Sequence, residues 1–229
     1  MPHFGAARLI VIRRALATAL SLTGLAAALA GLAPLQPTGA ALAQGAGAAL
    51  VAKPGSLPDM ALGNAKAPVT VVEYASMTCP HCAAFEQNVL PMLKSKYIDS
   101  GKVRFVFREF PLEIKAAAAS MLARCIAGDD AGKYFDAVEQ LFRAQDQLIE
   151  HTTDTLKLIG KRQSGMSEEA VEACVKDQAL LDKIKADAEF AFETLKVDAT
   201  PIFFINGEKF KGAMSFEEID KRIRALLKR

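Results

Sequence analysis

The chain has no tryptophan and only three tyrosines and three histidines among 229 residues. Any core it builds is therefore aliphatic and phenylalanine-rich, with 13 Phe to draw on. A surplus of either charge is also missing: 28 Lys+Arg against 26 Asp+Glu give a net +2, and no Lys/Arg run exceeds two residues. Without a basic surface to hold phosphates, nucleic acid is not an expected partner. Four cysteines, Cys79, Cys82, Cys125 and Cys174, are too few to frame a disulfide miniprotein, and a chain this long buries a core without such a frame. Internal repeats are absent. What remains is an ordinary globular balance, 51% hydrophobic and 24% charged, which excludes disorder as the main state.

The N-terminus points to a compartment. Arg8, Arg13 and Arg14 precede an uncharged, Ala- and Leu-rich stretch from Ala15 to Leu35, and Ala41-Leu42-Ala43 supplies small residues at the two positions a signal peptidase needs. This reads as a signal peptide over 1–43, cut before Gln44. An uncleaved membrane anchor is the alternative, since Ala15 to Leu35 could just span a bilayer, although Gly24, Gly31 and Pro34 weaken such a helix. Arg13-Arg14 lacks the neighbours of a twin-arginine signal and is read as a plain basic region. Cleavage would leave 25 Lys+Arg against 26 Asp+Glu, a balance that suits no polyelectrolyte. Export puts the cysteines in an oxidising space, where an even number can pair.

Past a Gly/Ala/Pro-rich tether or loose edge over 44–66, Val69-Thr70-Val71-Val72-Glu73-Tyr74 predicts a buried strand in which Glu73 is out of place. Cys79-Pro80-His81-Cys82 then opens a helix through Phe85, Val89, Met92 and Leu93, with a kink expected at Pro91. A second strand is expected at Val103 to Phe107. From Glu113 to Lys196 the periodicity is helical, broken at Gly128-Asp129-Asp130, His151-Thr152-Thr153 and Gly165-Met166-Ser167, the last two offering Thr or Ser caps, which predicts four or five helices. Ile202 to Ile205, a turn at Asn206-Gly207 and Glu208 to Phe210 form a hairpin, and Ser215 with Glu218 caps a last helix. This order predicts an α/β, thioredoxin-like fold with an inserted all-helical domain: 67–112 and 197–229 form the thioredoxin-like domain, and 113–196 the insertion.

A Cys-x-x-Cys at a helix start places the first sulfur where the helix dipole and unpaired N–H groups favour a thiolate. Cys79 is the expected nucleophile and Cys82, one turn further in, the resolving thiol. His81 adds a donor or a positive charge beside Cys79, and Pro80 suits a first turn that needs no N–H. Half a zinc site is the competing reading, but the other half is missing, and haem attachment would need His where Ala83 stands. No cofactor or metal is expected. Glu73 is either a solvent-facing strand acid or, as its apolar neighbours argue, a buried carboxyl that exchanges a proton with Cys82. His151 is read as a loop or helix-start residue without chemistry. Cys125 and Cys174 are either two buried free thiols or, as export favours, a structural disulfide.

The run Glu73-Tyr74-Ala75-Ser76-Met77-Thr78-Cys79-Pro80-His81-Cys82, with Thr200-Pro201 before a Phe-rich strand, resembles the DsbA family of thiol–disulfide oxidoreductases over roughly Ala67 to Arg229. The resemblance implies a cis proline at Pro201 facing the dithiol, a buried carboxylate at Glu73 and a depressed Cys79 pKa, the last a general property of that family. Thr200 stands where the best-known oxidases have Val, and Cys125 and Cys174 fall where many members have no cysteine. The implied function is a monomeric periplasmic oxidase that donates its Cys79–Cys82 disulfide to unfolded exported proteins and is reoxidised by a membrane partner. A disulfide isomerase or client-specific reductase, and a non-catalytic surface antigen on the same scaffold, are the alternatives.

Overall fold

The computed structural model describes residues 48–53 and 55–228. The expected signal peptide and its cleavage point lie outside the described residues. Five strands, β1 (Met60–Leu62), β2 (Val69–Ala75), β3 (Val103–Glu109), β4 (Ile202–Ile205) and β5 (Glu208–Lys211), form one mixed sheet in the order β1-β3-β2-β4-β5. β2 and β3 are parallel, with Glu73 opposite Phe107, and β4 is antiparallel to β2, with Glu73 opposite Phe203. Glu73 therefore sits on the central strand. Both edges are short, and β5 exposes Glu208, Lys209 and Lys211.

The parallel β2–β3 pair needs a crossover. It is made by α1 (Pro80–Asn88), α2 (Leu90–Leu93) and a π-helical turn over Lys94–Ile98. Pro91 does more than kink one helix: α1 ends at Val89, and Pro91 lies in the first turn of α2, where a missing N–H leaves nothing unsatisfied. Six helices, not four or five, lie between β3 and β4: α3 (Ile114–Ala127), α4 (Ala131–Arg143), α5 (Gln145–Glu150), α6 (Thr152–Ser164), α7 (Glu168–Val175) and α8 (Gln178–Glu193). The break between α4 and α5 is at Ala144, with φ −98° and ψ 21°. Neither Gly nor Pro marks it, so the periodicity runs straight through. Asp130, Ser167 and Asp177 accept N–H groups as helix caps, whereas the expected Thr cap near His151 is not formed: the Thr152 hydroxyl donates to the Leu148 carbonyl. The closing helix α9 (Phe216–Leu227) carries the Ser215–Glu218 capping box.

Strand alternation divides the core into two layers. Val71 and Ala75 join Phe105, Phe107 and Phe203 under α1 and the insertion, with the Phe85 ring 4.7 Å from that of Phe203. On the opposite face Val72, Tyr74, Val106 and Phe204 pack against Ala191, Leu195 and Val197. Described residues of the segment read as a tether or loose edge pack into the fold: Val51 enters this second layer, and β1 pairs with β3 at the sheet edge. Its backbone and Asp59 are gripped from elsewhere. Arg108 donates to Asp59 at 2.8 Å, Arg124 to the Pro58 carbonyl at 2.7 Å, and the Leu57 N–H to Asp187 at 3.1 Å. Because these partners lie far away in sequence, a Gly/Ala-rich composition gives no sign of them. Arg124 also forms a buried two-pronged ion pair with Glu109, which accepts the Tyr134 hydroxyl at 2.6 Å. Cys125 on α3 and Cys174 on α7 are joined, S–S 2.10 Å.

Candidate active site

β2 delivers the chain into the loop Ser76-Met77-Thr78, and Cys79 follows as the N-cap of α1. Its N–H donates to the Ser76 carbonyl at 3.0 Å, and its own carbonyl accepts the Ala83 N–H at 3.1 Å. The backbone is extended at Cys79 and helical from Pro80 onward, and no side chain caps the first turn. The Cys79 sulfur thus lies at the open end of the helix dipole. Thr200–Pro201 is a cis peptide, and the Thr200 carbonyl accepts from Cys79 Sγ at 3.3 Å. Four of the sequence-predicted residues, Cys79, Cys82, Thr200 and Pro201, therefore meet at the join between α1 and the start of β4. Pro80 and His81 are exposed beside them.

The two thiols are unbonded and differ sharply. Cys79 is 5% exposed, and its pKa is pulled down to about 5. The largest cause is the hydrogen bond from the Cys82 thiol; burial opposes it, and Thr200 and the N–H groups of Cys82 and His81 add to it. The contact of regular geometry at Thr200 is made by its carbonyl. The buried Thr200 Oγ1 has no hydrogen-bond partner. Cys82 is fully buried, and its pKa is pushed far up by burial, by its hydrogen bond to the Cys79 sulfur and by the charge of Glu73. The surroundings favour the thiolate at Cys79, which donates to the Thr200 carbonyl only while it is a thiol, and the thiol at Cys82.

Glu73 is 1% exposed, with Oε1 unpartnered. Burial raises its pKa well above the carboxylate range, and Glu86 and Cys79 raise it further. These causes favour the protonated carboxyl over the carboxylate.

Two residues of the site escape a sequence reading. Glu86 on α1 is 6% exposed, has Oε2 unpartnered, and is pushed up to about 8 by burial and then by Glu139. Its spacing of four from Cys82 places both on one helix face, a signal that was there to be used. Gln145, at the start of α5, donates to the Met77 carbonyl at 2.9 Å and the Cys79 carbonyl at 3.1 Å. Nothing in the sequence around it marks this contact. Among the described residues no group of three or more His, Cys, Asp or Glu is arranged to hold a metal ion, and no helix is long and apolar enough to cross a membrane.

Known proteins share the fold and part of the sequence. The thioredoxin family model matches residues 56–225. The crystal structure of alpha-DsbA1 from Wolbachia pipientis superimposes with a TM-score of 0.68 at 34% identity, covering 77% of this chain and 94% of that one. Disulfide bond formation protein D of Bacillus subtilis is 26% identical over 170 residues, 73% of this chain and 76% of its own length. A Rickettsia bellii protein with the provisional name protein-disulfide oxidoreductase is 35% identical over 151 residues; the match spans 65% of this chain and only 57% of that relative. The family model, the solved fold and the unequal thiol pair agree, and the chain belongs to the DsbA-like branch of the thioredoxin family.

Proposed function

We propose that this protein is a dithiol–disulfide oxidoreductase that works as an oxidase, passing the Cys79–Cys82 disulfide to unfolded exported proteins. The observation that carries the proposal is the difference between the sulfurs: Cys79 at about 5 against Cys82 pushed far up. A thiolate pKa about two units below neutral pH favours the reduced enzyme roughly 100-fold, or about 60 mV in a two-electron couple. The oxidised enzyme is correspondingly eager to give its disulfide away.

A substrate thiolate attacks Cys79 Sγ, forming a mixed disulfide and expelling Cys82. Cys82 leaves as a thiolate and takes a proton from neutral Glu73, which recovers one from solvent. A second substrate thiolate attacks the substrate sulfur of the mixed disulfide. Cys79 departs as a stable thiolate, and two substrate thiols have become one disulfide while the enzyme has gained two electrons. A membrane redox partner restores the oxidised form. Pro80, His81, Thr200 and Pro201 border the reacting sulfur, where an extended peptide would dock by backbone pairing. The basic, apolar leader read over 1–43 supports a periplasmic location.

Thr200 favours a second reading, disulfide isomerase or reductase, because its hydroxyl lies beside Cys79. Equilibration of the purified protein with glutathione buffers tests the choice. The oxidase reading requires an oxidising potential, monomers by light scattering, rapid oxidation of a reduced multi-cysteine substrate and poor rescue of a scrambled one. Efficient rescue by a dimer would replace it with the isomerase reading.

A further inference from the structure

We infer that Gln145 is a positioning residue through which the helical insertion sets the acidity of Cys79, an inference that rests on the dithiol reading above. The amide is 8% exposed and reaches two carbonyls of the active-site loop across sequence separations of 68 and 66. Both neighbours are acceptors, so the NH₂ end must face them. This orientation follows from chemistry alone.

The break at Ala144 makes the contact possible. Had α4 continued without interruption, the next residue would have followed the α4 face; the restart at Gln145 turns its side chain onto the loop instead. The Cys79 carbonyl already accepts the Ala83 N–H, and Gln145 supplies a second donor. Met77 is fully buried, and Gln145 gives its carbonyl a partner inside the fold.

Two consequences follow for the sulfur. The Cys79 carbonyl is the negative group covalently nearest to Sγ, and a donor on it withdraws part of the potential that opposes a thiolate. The two bonds also hold the loop in the one position where the N–H groups of His81 and Cys82 reach the sulfur, contacts that lower its pKa. Gln145 touches neither the sulfur nor the substrate. It acts through the loop.

The test compares the native protein with Gln145→Met, which keeps length and removes the donor, and Gln145→Glu, which turns an oxygen toward two oxygens. The thiolate absorbance of the reduced proteins is titrated, and each is equilibrated with glutathione. Removing the donor should raise the Cys79 midpoint from about 5 by about one unit, with a roughly tenfold change in the glutathione equilibrium toward the disulfide form. Gln145→Glu should move it at least as far. In the native protein, which needs no variant to fold, the Gln145 side-chain amide resonances should shift with the same midpoint as the thiolate. A folded Gln145→Met protein with an unmoved midpoint, or amide resonances indifferent to the titration, overturns the inference. Because the readout is the thiol itself, failure to oxidise substrates would sink the oxidase reading and leave this result standing.

Discussion

Glu73 on β2 and Glu86 on α1 are two buried carboxyls close enough for the charge of Glu86 to raise the pKa of Glu73, and each keeps one oxygen without a hydrogen-bond partner. Burial of a lone carboxylate is costly, so both favour the protonated form. Of the two, Glu73 is the one whose charge reaches Cys82.

Replacing Glu73 with Gln removes the transferable proton but keeps the shape. Exchange at Cys82 should slow on the order of tenfold or more, with the Cys79 midpoint nearly unchanged. Stopped-flow fluorescence or quenched alkylation of each thiol separates the two. Equal changes at both sulfurs would make Glu73 a nearby charge with no part in proton transfer.

Glu86 sets a pH dependence of stability. A carboxyl whose folded pKa is raised stabilises the fold in its protonated form, below the unfolded value near 4.3, and that contribution is lost as pH rises through the folded value. With Glu86 at about 8, the reduced protein should lose on the order of 3 kcal/mol between pH 5 and pH 8 through this group. Glu86→Gln should flatten the slope, as urea denaturation at the two pH values would record. An unchanged slope would mean that water reaches the carboxyl.

Cys79 should be the one thiol alkylated quickly after mild reduction, and the rate should rise with pH about a midpoint near 5. A midpoint near that of a free thiol, about 8.5, would remove the basis of the oxidase reading.

Arg124 and Glu109 form the buried ion pair that ties α3 to the end of β3. Arg124→Met strands the carboxylate and should cost about 3–5 kcal/mol, lowering the melting temperature by roughly 10 °C. Adding Glu109→Gln should recover much of that loss, since the uncompensated charge is what destabilises. Calorimetry of the two variants reads both numbers.

The Cys125–Cys174 bond closes a loop of sequence separation 49. Replacing both cysteines with Ala should cost at most about 4 kcal/mol of chain entropy. Peptide mapping without reductant should find the pair linked even when Cys79 and Cys82 are free; two free thiols at 125 and 174 would refute the pairing.

Much of this molecule is legible in its sequence because the relevant signals are local. β2, the start of α1, the Asn206-Gly207 turn with both residues at positive φ, and the Ser215 capping box each follow from adjacent residues. Glu73 is legible as an anomaly, an acid inside an apolar strand. What is hidden depends on distant partners: β1 and Val51 are ordered by Arg108, Arg124, Asp187 and the far sheet face, and the α4–α5 break carries no Gly or Pro. Gln145 belongs to this second kind. Its role comes from a loop more than sixty residues away, so only the fold exposes it.

The borders of the sheet have a bearing on the company the protein would keep. β1 is three residues long, and β5 turns Glu208, Lys209 and Lys211 to solvent. Long, flat, apolar edges recruit foreign strands, whereas brevity and lysine discourage them. A catalyst working among unfolded polypeptides meets sticky, strand-forming segments continually, and an inviting border would let its clients polymerise onto it. On the oxidase reading proposed above, these margins would leave the surroundings of Thr200 and Pro201 as the place for a client backbone to attach, with capture brief and coupled to sulfur chemistry.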